Sequence, residues 1–230
     1  GWSMGRNVFG QEDRAQQELA ALPERSLLFN YLGQFDQAVA SGDGPAVEIP
    51  PTLQESIDAA AAGAVLIVSE SEFDEDIRIP NQIIVLGSPT INGTLTVEDG
   101  GGLTPGYSPG AIISGDLILG DDATTEFEIE GPSPGNGHDQ LDVTGSVSID
   151  ASASFTILGA HVPVIGEEFV LINNDDNDSI TGAFNGAAEG QLFFLNGIAL
   201  AASYTGGDGN DFTLTAVKAP TMTALEASVN

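Results

Sequence analysis

LTPGYSPGAIISGDLILGDDATTEFEIEGPSPGNGHDQLDVTGSVSIDASASFTIL, residues 103–158, is the stretch whose reading decides the fold. Short apolar–polar alternations recur in it at Ile112–Ile113, Leu117–Leu119, Phe127–Ile129, Leu141–Val143, Val147–Ile149 and Phe155–Ile157. Alternation with period two places every second side chain on one face of an extended chain, and the Gly, Pro, Asp and Asn between the segments force turns. The segments are too short and too closely spaced to leave room for helices between them. The stretch predicts an all-β chain of stacked or coiled strands.

Composition agrees with that reading. The chain has 230 residues, 41% of them hydrophobic but only 7% aromatic. Its core is therefore expected to be thin layers of Val, Ile, Leu and Ala. The 29 glycines suit a chain that turns often. Formal net charge is −29, from 34 acidic residues against 5 basic ones. Such a surface repels nucleic-acid phosphates and anionic lipid headgroups, and favours divalent cations or basic partners. With no cysteine, disulfides and thiolate metal sites are excluded. No apolar run approaches the ~20 residues of a membrane-spanning helix, so membrane insertion is not expected. The chain begins at Gly1 without a basic–apolar leader and reads as mature, processed or trimmed.

Residues 1–41 differ from everything after them. They are rich in Gln, Ala, Glu and Leu, which favour helix. Pro23 divides them into one helix from about Glu12 to Leu22 and a second from about Glu24 to Ala40. The second carries Leu27, Leu28, Tyr31, Leu32, Phe35 and Val39 at helical spacing, an apolar stripe. Trp2, Phe9, Leu28, Tyr31 and Phe35 are candidate subunit contacts, because aromatics gathered outside a β-core suit an interface. Three of the five basic residues, Arg6, Arg14 and Arg25, also lie in this helical N-terminal arm. Residues 42–51 read as a linker, 52–217 as the β-domain with a short capping helix at its start, and 218–230 as a C-terminal tail. The strand-like TLTAV at 213–217 is a candidate to complete another subunit's sheet.

In PTLQESIDAAAAGAVLIVSESEFDEDIRIPNQIIVLGSPTINGTLTV, from Pro51, Thr52 and Glu55 have capping-box spacing. Leu53, Ile57 and Ala60 would then face inward. The order helix, Gly63, AVLIVS, acidic turn, IRI and IIVLG resembles the entry to pectate-lyase-like right-handed parallel β-helices. There a short amphipathic helix caps the N-terminal end of the stack. Between Leu103 and Val217, the segments FEIEG, DQLDVTGSVSI and YTGGDGNDFTL resemble the Gly-rich passenger regions of bacterial autotransporters. The resemblances imply a right-handed parallel β-helix, or β-solenoid, with coils of varying length, in a bacterial protein secreted or held at the cell surface. They imply no reaction, since this fold hosts many functions. Mixed β-sandwich character toward the C-terminus is the structural alternative.

Two acidic turns carry candidate calcium ligands. GGDGNDFTL (206–214) resembles the calcium-binding nonapeptide of RTX toxins, with Asp208 and Asp211 as oxygen ligands; Thr213 departs from its apolar eighth position, and only one copy is present. NNDDNDS (173–179) offers Asp175, Asp176 and Asp178 but lacks the Gly and terminal Glu of an EF-hand loop. The reading weighed against calcium, and preferred to it, is a solvated Asx-rich turn in each segment. Asp121–Asp122 and Asp175–Asp176 are adjacent carboxylates, but neighbours on a strand point to opposite faces, so adjacency does not make a glycosidase pair. Beyond residue 50 only Arg78 and Lys218 are cationic, a field that opposes a polyanionic substrate. His138 and His161 are the only histidines. No nucleophile elbow, Walker loop or HExxH is present. The sequence therefore predicts a non-catalytic structural subunit that assembles with other copies of itself. Its alternatives are a carbohydrate-active β-helix hydrolase and an adhesin module binding a glycan or cell-surface ligand.

Overall fold

The computed structural model describes residues 52–68, 71–106, 109–175 and 178–219. The expected arm, with Trp2, Phe9, Leu28, Tyr31 and Phe35, lies outside the described residues, as do the linker at 42–51 and residues 220–230 of the tail.

The described chain opens on a capped helix. Thr52 Oγ1 accepts the Glu55 N–H at 3.1 Å, and α1 (Leu53–Ala59) follows. The Glu75 carboxylate accepts the N–H groups of Leu53 at 2.9 Å and Gln54 at 3.4 Å. It thereby satisfies donors left open by the first turn and places negative charge at the positive end of the helix. Leu53, Ser56 and Ile57 are buried, with Ala60 packed against the same core.

Strands then visit three sheets in rotation. The first sheet holds β1 (Val65–Val68), β4 (Ile84–Gly87), β7 (Gly102–Pro105), β10 (Thr124–Glu128) and β13 (Ser154–Leu158). The second begins with β2 (Glu72–Phe73), β5 (Thr90–Ile91), β8 (Ala111–Ser114), β11 (Gln140–Val143) and β14 (Glu168–Asn174). The third holds β3 (Ile77–Ile79), β6 (Leu95–Val97), β9 (Leu117–Leu119), β12 (Val147–Ile149) and β15 (Thr181–Gly182). Each strand from β1 to β12 pairs in parallel with the strand three places further along the chain. Three consecutive strands, one per sheet, form a rung. The protein is thus all-β with parallel sheets and, among the described residues, one short helix.

Register aligns the core in columns. Ile77, Leu95, Leu117 and Val147 pair in succession, as do Ile79, Val97, Leu119 and Ile149, and all eight are buried. Intervening residues such as Ile118 point outward. Rung length grows along the stack: from Ile77 to Leu95, Leu95 to Leu117 and Leu117 to Val147 the offsets are 18, 22 and 30 residues. The added residues sit at corners, chiefly between β10 and β11 and between β13 and β14, so the strands keep their register.

The stack does not end as it begins. β14 pairs antiparallel with β18 (Asp211–Val217), which pairs antiparallel with β17 (Ile198–Gly206), which pairs with the edge strand β16 (Leu192–Leu195). Phe155 sits 5.0, 4.9 and 5.2 Å by ring centroid from Phe184, Phe193 and Phe212. These rings fill the wide end that aliphatic columns fill elsewhere. The expectation that TLTAV is free to complete another subunit's sheet is overturned: Thr213–Thr215 is paired on both sides, with β14 and with β17, and Ala216 and Val217 continue the pairing with β17.

Candidate functional site

Much of the polar chemistry in the described residues joins one rung to the next. Asp116 Oδ1 accepts both the Ser146 N–H at 2.8 Å and the Ser146 hydroxyl at 2.9 Å, which holds its carboxyl below the usual range. The Ser152 hydroxyl reaches Asp121 at 3.1 Å while accepting the Asp122 N–H at 2.9 Å. Asn173 donates to Asp142 at 2.7 Å, the Thr94 N–H to Asp76 at 2.8 Å, and Asn92 to both Glu72 and Asp74. Arg78 pairs with Glu98 and, at 3.4 Å, with Asp99. These exposed contacts are individually weak, but they repeat along the stack.

Asp139 is the buried member of this set. It is 1% exposed. Its Oδ1 accepts the Gly110 N–H and its Oδ2 the Glu128 N–H, both at 2.8 Å. Burial nevertheless pushes its carboxyl up to about 8, against the two donors that favour the charge. His138 beside it is also buried, with its ring edge-on to Phe169 at 5.4 Å and its pKa lowered by burial. Asp139 therefore carries a proton in the fold that the unfolded chain gives up above about pH 4. Its contribution to stability is greatest below that pH and declines as pH rises through about 8. Between about pH 7 and about pH 9 the wild-type chain is expected to lose stability, and Asp139→Asn to flatten that part of the profile. Urea-unfolding midpoints at the two pH values check this, and an equal decline in both proteins contradicts it.

The two acidic turns singled out in the sequence meet in space. The Asn174 N–H donates to Asp211 Oδ1 at 2.8 Å, and the Asn174 amide donates to the Asp178 carbonyl at 2.7 Å. Asn210 donates to the carbonyls of Asp175 at 3.2 Å and Asp178 at 3.0 Å. Asp211 also accepts the Asp208 N–H at 3.3 Å, and burial raises its pKa. Asp211 thus ties the β17–β18 turn to the end of β14. Asp208 and Asp178 are exposed and Asp175 half-buried; Asp176 lies outside the described residues. The turn containing Asp208 and Asp211 joins antiparallel strands, a different setting from stacked parallel turns. Among the described residues, no three His, Asp or Glu side chains converge at metal-binding spacing, and no helix is long and apolar enough to cross a membrane.

Two surfaces complete the inventory. The outer face of the first sheet carries an open groove of about 320 Å³ whose lining includes Ile84, Leu86, Thr104, Thr124, Glu126 and Thr156. At the wide end, Val162, Val164, Ile165 and Phe194 are 60, 70, 58 and 62% exposed. The sequence did not single out this second surface, although the apolar run around Leu192–Leu195 was its signal.

Comparison of the chain with family models, with curated proteins and with solved structures gives no match in any of the three.

Proposed function

We propose that the protein is a right-handed parallel β-helix acting as a non-catalytic structural subunit, secreted or held at a bacterial cell surface, that assembles with copies of itself. The three-sheet rotation of parallel strands supports the fold, and the strong preference of parallel crossovers for one hand supports its right-handedness. The observation that carries the functional reading is the use of acidic side chains as ties between rungs: Asp76, Asp116, Asp121, Asp139 and Asp142 each bind a group on a neighbouring rung. Acids spent this way stiffen a rod. The arm (1–41) and the tail (218–230) supply subunit contacts. Calcium, held by the exposed acids Asp178 and Asp208 and the half-buried Asp175, offsets repulsion between acidic bodies.

Size-exclusion chromatography and electron microscopy of the full chain and of a chain lacking residues 1–41, each with and without calcium, test the proposal. The full chain is expected to form oligomers or filaments that removal of the arm disperses. Monomers throughout would sink it. A second reading, a glycan-binding adhesin module, draws on the first-sheet groove, where Thr104, Thr124 and Thr156 offer hydroxyls beside Ile84 and Leu86. Binding of neutral glycans that is lost on Thr124→Val would favour it.

A further inference from the structure

We infer that the chain's own arm, through residues 24–40, docks on the aliphatic part of the first sheet's outer face. In parallel register Val65 pairs with Ile84, and Ile67 with Leu86. Their neighbours Leu66, Val68 and Val85 are buried, so these four side chains point outward as a block two residues wide and two rungs deep. Ile84 is 38% exposed and the other three are half-buried. The other two sheets present nothing comparable. Glu72, Thr90, Ile113, Asp142 and Asn173 form an outward column of the second sheet. Arg78, Thr96, Ile118, Ser148 and Thr181 form that of the third. Each column holds one aliphatic residue.

Carboxylates flank the first-sheet face on one side. The turns leading into it from the third sheet carry Glu98 and Asp99, then Asp121 and Asp122, then Asp150. Arg78 pairs with the first two, and the Ser152 hydroxyl with Asp121 and Asp150. Glu126 lies on the face itself, in register with Thr156. An occupant must therefore bring apolar side chains for the floor, and basic rather than acidic groups beside them.

The arm has that chemistry. Leu28, Tyr31, Leu32, Phe35 and Val39 recur at helical spacing. From Arg25 to Phe35 the chain holds one Arg and no acid. Arg6, Arg14 and Arg25 are three of its five bases. Dimensions agree: Leu28 to Val39 covers about 16 Å of helix, and five strands spaced about 4.8 Å apart cover about 19 Å. The tether agrees too. α1 leads through Gly63 into Val65, on the rung that begins the block. Residues 41–51 reach at most about 36 Å, which keeps the arm near this face at an effective concentration on the order of millimolar. The assembly reading uses the arm between subunits. This inference gives it a seat on its own body, and neither depends on the other.

The chain has no cysteine, so introduced cysteine pairs in the full chain test this with a short bismaleimide. Leu32→Cys with Thr104→Cys probes the first sheet beside Leu86. Leu32→Cys with Thr96→Cys probes the outer face of the third sheet. Cross-linking within one chain is expected to be at least about tenfold faster for the first pair. Adding Ile84→Lys should remove most of that advantage and adding Ile118→Lys should leave it; the two positions are 38 and 39% exposed, so both lysines are accommodated at the surface. Equal rates at the two faces, or a rate untouched by Ile84→Lys, overturn the inference and leave the face to a glycan or another partner. Cross-links formed only between chains also overturn it, and would instead give the assembly reading its contact. Within-chain cross-linking in a protein that stays monomeric supports the inference while overturning the assembly reading.

Discussion

Gly87→Ala is expected to lower the free energy of unfolding by about 3–5 kcal/mol, the sum of backbone strain and a steric clash. Gly87 ends β4 with φ +145°, and a Cβ built there would sit 1.7 Å from the Val68 carbonyl oxygen. That oxygen belongs to the strand beneath, in direct register with Gly87. It is backbone held in the first sheet, so neither rung can yield without losing pairing. Gly186→Ala is the control. It has φ +71° with nothing within 4 Å of the added carbon, so it incurs strain alone, about 1–2 kcal/mol. Urea midpoints of both variants separate the two costs. A Gly87 variant no less stable than the Gly186 variant would mean that the rungs are not packed as described.

Phe212→Ala should cost about as much, ~3–5 kcal/mol. Phe212 is fully buried on β18. Its ring lies 5.2 Å from Phe155, 5.1 Å from Phe184 and 4.8 Å from Tyr204. The Tyr204 hydroxyl in turn accepts the Phe184 N–H at 2.9 Å. Truncation leaves a cavity among rings drawn from three separate parts of the chain, which cannot all close on it. Hydrogen exchange should show the loss concentrated in β16, β17 and β18, with the aliphatic columns from Ile77 to Val97 nearly unaffected. Uniform loss of protection along the stack would argue against two differently built ends.

How much of this was legible follows from segment length and sequence separation. Every alternation between residues 103 and 158 falls in or at the edge of a strand, because period two survives in three or four residues. The capping of α1 was equally readable, since Thr52 and Glu55 are local. Two-residue strands such as Glu72–Phe73 and Thr90–Ile91 are too short to display a period. The antiparallel ending was read only as an alternative, mixed β-sandwich character toward the C-terminus, and its hairpin was missed although Asn196–Gly197 stands between Leu195 and Ile198, a strong local hairpin signal; both residues have positive φ, 47° and 84°. The burial of Asp139 has no sequence signature, because a carboxyl in a Gly/Pro-rich loop reads as solvated. The meeting of Asn174 with Asp211 spans 37 residues and depends on a sheet order that neither turn encodes.

The lengthening of successive rungs has a bearing on how such a chain can diversify. Because extra residues enter at corners while strands keep their partners, an in-frame insertion near Ser133 or Val162 adds surface without disturbing the columns beneath, and closing a longer loop costs little. The scaffold can therefore change its exterior by small genetic steps at its broad end, while its narrow end stays under tight steric constraint.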